Sequence, residues 1–281
     1  MHVVIVAYRH AAALDAALAP LGGRVPVTVV DNSSSEHVAA VAARHGAEYL
    51  DAGANRGYAA GVNIALKRLE ASPPANVLLL NPDAVIHLED LKTLVAYARS
   101  SDRLAAVAPR LVERDGSAQR VAWPFPSPWR AWGEAFGLGR FLRFGRQFVI
   151  GAVLLLDWHA IREIGSFDER FFLYCEETDW QRRAADAGWR SAICAETVAA
   201  HTGAGTSDDE ARREALFHAA HETYIRKWFG TLGWWTYRAA AGFGAAVRAV
   251  LLRGERRSLA RRRAAIYVRG PCRCAEGLLA E

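Results

Sequence analysis

The sequence predicts an α/β fold: a doubly wound, mostly parallel sheet flanked by helices, with an amphipathic helical extension at the C-terminus. Three observations carry this. Apolar strand-like runs alternate with helical patterns over the first ~110 residues, the βαβα rhythm of a parallel sheet. Val77-Leu78-Leu79-Leu80 is an unbroken aliphatic run, as expected of a strand covered on both faces. The run stops at Asn81-Pro82-Asp83-Ala84, where Pro82 has no N–H with which to continue a central ladder.

From the N-terminus, Val3 to Ala7 reads as a strand followed by an Ala/Leu-rich helix. Val27 to Val30 is the next strand, ending at Asp31-Asn32-Ser33, and a helix then runs to His45. Ala47 to Leu50 is a third strand, and Asn55-Arg56-Gly57-Tyr58 opens a helix reaching Leu69. After Val77–Leu80 come a helix over Leu88–Arg99 and a strand over Leu104–Ala108. Trp123 to Gln147, with Pro124, Pro126 and Pro128 among its aromatics, has no clear period and reads as an irregular lid or binding loop. Phe148 to Leu156 resumes as one strand with Gly151 inside it. Trp180, Ala184 and Ala187 share a helix face that Gly188 terminates. Val198 to Ala200 is a short strand ending at His201; Gly203 to Ser207 is mobile by composition, and a helix follows from Glu210 to Trp228. The boundaries expected are a catalytic domain over 1–230 and a basic extension over 231–281.

Composition excludes disorder: 281 residues, 52% hydrophobic and 23% charged, can bury a large core. The net charge of +5 is uneven. Residues 226–281 hold 12 Lys or Arg against 3 acidic residues, so a mildly acidic body carries a basic tail. The four cysteines form no CxxC pair and no secretory signal precedes the first strand, which points to a reducing, cytoplasmic setting. Cys272 and Cys274 form a CxC without nearby ligand partners.

Asn81 and Asp83 stand at the carboxyl edge of a central strand, where open α/β sheets bind ligands. A carboxylate there suits a hard divalent cation that also carries substrate phosphates, although a plain turn uses the same residue types. Glu176, Glu177 and Asp179 crowd the mouth of a helix. Like charges this close raise one another's pKa, the preparation a general base needs, and a solvated first turn is the alternative.

Taken in order, Val-Asp-Asn-Ser-Ser (30–34), Asn-Arg-Gly-Tyr (55–58), Asn-Pro-Asp (81–83), Gly-Ser-Phe-Asp-Glu-Arg-Phe-Phe (165–172), Glu-Glu-Thr-Asp-Trp (176–180) and His201 resemble glycosyltransferase family 2, and within it the bacterial rhamnosyltransferase-like cell-wall transferases. The resemblance covers residues 2–229. It implies a GT-A fold, a nucleotide-diphospho-sugar donor and inversion at the anomeric carbon. It also implies that Asp31 contacts the nucleotide base beside Ala7 and Tyr8, and that Gly57 passes close to the nucleotide with Asn55 and Asn63 flanking it. Asn81 and Asp83 match the family's DxD element, with Asp83 as metal ligand and Asn81 as a ribose or sugar contact. His201 matches a metal-binding histidine, giving a Mg²⁺ or Mn²⁺ site. Glu177 aligns with the general base; Asp179 is the second choice, and Glu176 is an acceptor-orienting residue. Gly151 is placed with the substrate-binding residues.

The tail from Leu232 to Leu252 is apolar and aromatic but contains Arg238 and Arg248, which makes lying in a membrane interface cheaper than spanning it. The arginines from Arg253 to Arg263 could each add ~1 kcal/mol of attraction to an anionic leaflet. A helix packed on the core with a solvated basic end is the other reading. His218 and His221 form no zinc motif and read as structural or diphosphate contacts. The function expected is therefore an inverting, metal-dependent transferase moving a sugar, rhamnose by resemblance, from a dTDP- or UDP-linked donor to a polyprenyl-diphosphate-linked or glycan acceptor. It would sit peripherally on the inner face of the cell membrane and take no nucleic acid partner. A sugar nucleotidyltransferase is a weaker fit, because Tyr8-Arg9-His10 stands where a Gly-rich phosphate loop would follow the first strand. A nucleic-acid-binding protein using the Arg-rich tail would instead bind without metal and weaken steeply with salt.

Overall fold

The computed structural model describes residues 1–142, 145–202 and 209–278. The chain divides into two units, one built from Met1–Trp123, Gln147–Phe172 and Glu176–Asp208, the other from Pro124–Arg146, Leu173–Cys175 and Asp209–Glu281.

The first unit holds β1 (His2–Ala7), α1 (Ala11–Leu18), β2 (Val27–Asp31), α2 (Glu36–Arg44), β3 (Glu48–Asp51), α3 (Tyr58–Leu69), β4 (Asn76–Leu80), β5 (Ala84–Ile86), α4 (Leu88–Arg99), β6 (Leu104–Val112) and β7 (Ala118–Gln119). After β8 (Ala122–Pro124) the chain forms α5 (Pro128–Ala135) in the second unit. It returns through β9 (Gln147–Val149), β10 (Val153–Asp157), α6 (Trp158–Ile164), α7 (Glu176–Asp186) and β11 (Arg190–His201). The large sheet has the order β3-β2-β1-β4-β10-β6-β11-β5, with β7 paired to β6. β1, β2, β3 and β4 run parallel, as does the β6–β11 pair, whereas β10 lies antiparallel between β4 and β6. Every residue of β4 is buried, as the aliphatic run required, and each large aliphatic there contributes about 1.5–3 kcal/mol by leaving water.

Several boundaries differ from the sequence reading. Phe148–Leu156 is two strands rather than one. Ile150 N–H bonds the Val121 carbonyl at 3.0 Å and Ala152 accepts from Asn81 N–H at 2.9 Å, so the chain changes partners across Gly151. β11 begins eight residues before Val198. An irregularity between Cys194 and Val198, closed by a Thr197 hydroxyl bond to the Cys194 carbonyl at 3.1 Å, interrupts the alternation that would have revealed it. The Gly203–Ser207 segment lies outside the described residues.

The stretch Trp123–Gln147, whose Pro124–Arg146 part belongs to the second unit, is not wholly irregular. Ser127 caps α5 by accepting from Arg130 N–H at 3.3 Å, and Pro128 occupies the first helical position, where its missing N–H costs nothing. The helix expected to end at Trp228 continues as α8 (Glu210–Leu251), broken by Gly230 at φ 65°. α9 (Gly254–Arg269) and α10 (Pro271–Ala275) pack back onto α8. Arg263 meets Glu214 at 2.5 Å, Arg262 meets Glu210 at 2.8 Å, and Cys272 N–H bonds Glu222 at 3.2 Å. His218 bonds the Tyr267 hydroxyl at 2.9 Å, and burial lowers its pKa to about 3, with His221 and Arg263 adding to the shift. His218 is thus a neutral structural histidine of this unit.

Candidate active site

The carboxyl end of β4 sets one side of the site. Ala84 N–H bonds the Asn81 carbonyl at 3.0 Å, closing the turn around Pro82, and β5 then pairs antiparallel with β11 so that His201 faces Ala84. This register carries the His201 ring to Asp83: Nε2 and Oδ2 are 3.6 Å apart, and the side chains are only 14% and 7% exposed.

The state of the ring follows from a neighbour that the sequence reading passed over. The Gln119 amide nitrogen bonds the His201 carbonyl at 2.9 Å and makes a short contact with Glu113 Oε1, two acceptors that fix which end of the amide is nitrogen. Gln119 Oε1 therefore faces His201 Nδ1, at 3.0 Å, and requires a proton on it. In a neutral imidazole the lone pair then lies on Nε2, toward Asp83. Two acceptors converge there, a donor set of one nitrogen and one carboxylate that fits a divalent cation. Among the described residues no three His, Cys, Asp or Glu side chains are placed to hold a metal ion together, so further ligands would come from substrate or water.

The second side is the first turn of α7. Glu177 packs against Gly151, where an added Cβ would meet the Glu177 Cγ at 3.3 Å. Burial raises the Glu177 pKa, and the backbone N–H groups of Glu177, Thr178 and Gly151 partly offset it by bonding the carboxylate. Glu176 is buried and its pKa is driven well above the usual carboxylate range, first by burial and then by Glu177. Asp179 differs. It is fully buried and accepts from Arg183 Nε at 3.1 Å, while Arg183 also bonds the carbonyls of Ile164 and Ser166 at 2.7 and 2.8 Å. Asp179 thereby anchors the loop before α7, whereas the Oε2 atoms of Glu176 and Glu177 accept no bond from the described residues.

Tyr58, also passed over, opens α3. Burial raises its pKa, and the charges of Glu176, Glu177 and Asp83 add to the shift, so the phenol stays protonated.

The expected nucleotide residues follow the carboxyl ends of β1 and β2. Ala7 ends β1, its carbonyl accepting from Asn32 N–H at 2.9 Å, and Tyr8 follows with Arg9 4.8 Å over its ring. Asp31 is fully buried, and its carboxylate accepts from the Ser33 N–H and hydroxyl, Ser35 N–H and Tyr49 hydroxyl at 2.5–3.0 Å. These four bonds fill its acceptor capacity and fix the turn after β2, so the expected base contact meets a carboxylate already engaged. The Tyr49 pKa is pushed up to about 12, chiefly by burial and then by that bond. Asn63 is likewise engaged, holding Phe167 N–H and carbonyl at 2.9 Å and Glu169 at 2.8 Å. Asn55 accepts from Gly57 N–H at 3.3 Å. Gly57, at φ 82°, is required by close approach, since a Cβ there would run into the Phe172 carbonyl.

Residues 1–222 match the family described as glycosyltransferase-like family 2. Over 270 residues the chain is 29% identical to the N-acetylglucosaminyl-diphospho-decaprenol L-rhamnosyltransferase of Mycobacterium tuberculosis, covering 84% of this chain and 87% of that one. It is 27% identical over 192 residues to a low-salt glycan biosynthesis hexosyltransferase of Haloferax volcanii, matching 66% of this chain and spanning 61% of that relative's length. Among solved structures, the Pyrobaculum calidifontis mannosyltransferase PcManGT in complex with GDP-Man and Mn²⁺ is similar at a TM-score of 0.58 and 15% identity, covering 99% of this chain and 83% of that one. Glucosyl-3-phosphoglycerate synthase of Mycobacterium tuberculosis, in complex with Mn²⁺, UDP and phosphoglyceric acid, is similar at 0.56 and 16%, covering 80% and 77%. The structural likenesses show the fold, which is GT-A.

Proposed function

From the premise that the chain belongs to glycosyltransferase-like family 2 and is a glycosyltransferase, we propose that it is an inverting, divalent-metal-dependent enzyme transferring rhamnose from a dTDP-linked donor to a polyprenyl-diphosphate-linked glycan acceptor. The sugar and the acceptor are read from the rhamnosyltransferase relative. The observation that carries the metal is the convergence of His201 Nε2 and Asp83 Oδ2 with the ring tautomer set by Gln119.

In this reading Asp83 and His201 would hold Mg²⁺ or Mn²⁺, and the cation would supply positive charge to offset that developing on the departing diphosphate. Glu177 removes the proton from the acceptor hydroxyl as that oxygen attacks the anomeric carbon. The bond from that carbon to the diphosphate oxygen breaks, the nucleoside diphosphate leaves with the electron pair, and configuration inverts. The raised Glu177 pKa strengthens the carboxylate as a base while leaving it ionised above that pKa. Glu176 and the Tyr58 hydroxyl are hydrogen-bond donors for sugar or acceptor oxygens, since their raised pKa values favour the protonated forms. Asn81 contacts ribose or sugar, Gly57 and Asn55 line the nucleotide side, and Gly151 leaves room for Glu177. Asp31 and Asn63 support the site from behind. The enzyme works peripherally at the inner face of the membrane, where such an acceptor is held.

A screen of nucleotide-sugars by Mn²⁺-dependent donor hydrolysis tests the reading. dTDP-rhamnose should be hydrolysed fastest, and a clear preference for another donor would overturn the sugar assignment.

A further inference from the structure

The second unit carries an apolar face that the chemistry above does not use. Beyond Gly230, the residues of α8 exposed along one side are Leu232, Trp235, Ala239, Phe243, Ala246 and Val250. Their intervals of three and four place them on one helix face, and none is charged. Leu232, Trp235, Phe243 and Val250 are 81%, 54%, 45% and 75% exposed, whereas Trp234, Ala240, Gly244 and Ala245 face inward and are buried. At 1.5 Å per residue the stripe is about 27 Å long.

α5 widens it. Phe136, 63% exposed, lies 5.9 Å from Phe243 between ring centroids, and Trp129, 77% exposed, stands two turns earlier on the same side of α5. Gly244 permits this closeness, since a Cβ there would sit 3.1 Å from the Ala135 Cα. Arginines flank the face. Arg238 lies 5.0 Å over the Trp235 ring, and Arg257 bonds the Ala249 carbonyl at 3.0 Å, beside exposed Arg253 and Arg256.

We propose that this face of α5 and α8 rests on an anionic bilayer surface, its aromatic and aliphatic side chains at the headgroup boundary and its arginines among lipid phosphates. The proposal rests on the reading of a bilayer-held acceptor and specifies the surface that would dock. No helix among the described residues is long and apolar enough to cross a membrane, so the face lies on the bilayer. A second copy is a poorer occupant, because a two-fold contact through this face would set one arginine rim against its equivalent.

The test is co-sedimentation of the full-length protein with vesicles of phosphatidylcholine alone or mixed with phosphatidylglycerol. The wild-type protein should bind the mixed vesicles and largely ignore the neutral ones. Trp235→Glu and Phe243→Glu should each reduce partitioning by about 10-fold or more, with donor hydrolysis in solution unchanged. Trp129→Ser supplies the same readout from α5 if a variant in α8 fails to fold. Absence of wild-type binding, equal binding to neutral vesicles, or variants that bind normally would overturn the proposal. So would sedimentation velocity showing a wild-type dimer that the variants dissociate. Vesicle binding without hydrolysis of any donor would instead strike the transferase reading and leave the surface standing.

Discussion

Replacing Gln119 by Leu should weaken metal binding without touching either proposed ligand. The side chain keeps its approximate size on β7 but loses the oxygen that accepts from His201 Nδ1–H at 3.0 Å. One buried hydrogen bond is worth about 0.5–1.5 kcal/mol, or about 2- to 13-fold in an equilibrium constant. The freed ring can also take the other tautomer, which puts a proton where the cation should be; partners of this kind typically matter ~10–100-fold in metal affinity. The ranges overlap near ten, so Mn²⁺ should bind about 10-fold more weakly. The assay is titration of Mn²⁺ into the protein with saturating nucleoside diphosphate, following the free aqua ion by electron paramagnetic resonance. Gln119→Glu keeps an acceptor for Nδ1–H but sets a carboxylate against Glu113, so it should bind metal better than the Leu variant while melting at a lower temperature than wild type. Unchanged Mn²⁺ affinity in a folded Gln119→Leu protein would refute the reasoning.

Further outcomes follow from the same geometry. Glu177→Gln should lower kcat by ~10²–10⁴ and remove the acid limb of the pH–rate profile, which in the wild type should lie above the ordinary carboxylate range because burial raises that pKa. Asp179→Asn should chiefly lower the urea midpoint, since its partner is Arg183; a folded Asp179→Asn protein as inactive as Glu177→Gln would move the base. Because the Glu176 pKa is raised in the folded state, the folded protein holds a proton that the unfolded chain has released, and stability falls as pH rises from the ordinary Glu value toward the raised one. Glu176→Gln should flatten that fall and melt higher than wild type at alkaline pH, as calorimetry across pH would show. Gly57→Ala should destabilise by more than about 1 kcal/mol in urea, from its positive φ and the Phe172 carbonyl.

Much of this was legible in the residues. The aliphatic runs located β1, β2 and β4, and α4 has the expected bounds because its ends carry ordinary signals: acids in the first turn and Arg99 in the last. Asn81-Pro82-Asp83 marked the sheet edge because Pro82 has no N–H with which to carry the β4 ladder further. What the sequence concealed depends on long-range pairing. Gln119 sits in a two-residue strand with no local pattern, and its importance comes from contact with His201, 82 positions away. The Glu177–Asp179 ambiguity had a visible clue, since Arg183 stands four residues after Asp179, the spacing of a helical ion pair. Asp31 shows a different kind of long-range effect. A motif position marked it for a ligand, whereas Ser33, Ser35 and Tyr49 consume its carboxylate. α5 was hidden by its prolines, although Ser127-Pro128 is itself a helix-start signal.

The most direct test of the account is turnover of the preferred nucleotide-sugar as a function of Mn²⁺ concentration in the wild type, Asp83→Ala and His201→Ala. Wild-type activity should vanish with chelator and return with Mn²⁺ or Mg²⁺. Each variant, folded by circular dichroism, should require far more metal for half-maximal rate. Full turnover in chelator, or either variant matching wild type at limiting Mn²⁺, would contradict a metal-dependent transferase built on Asp83 and His201.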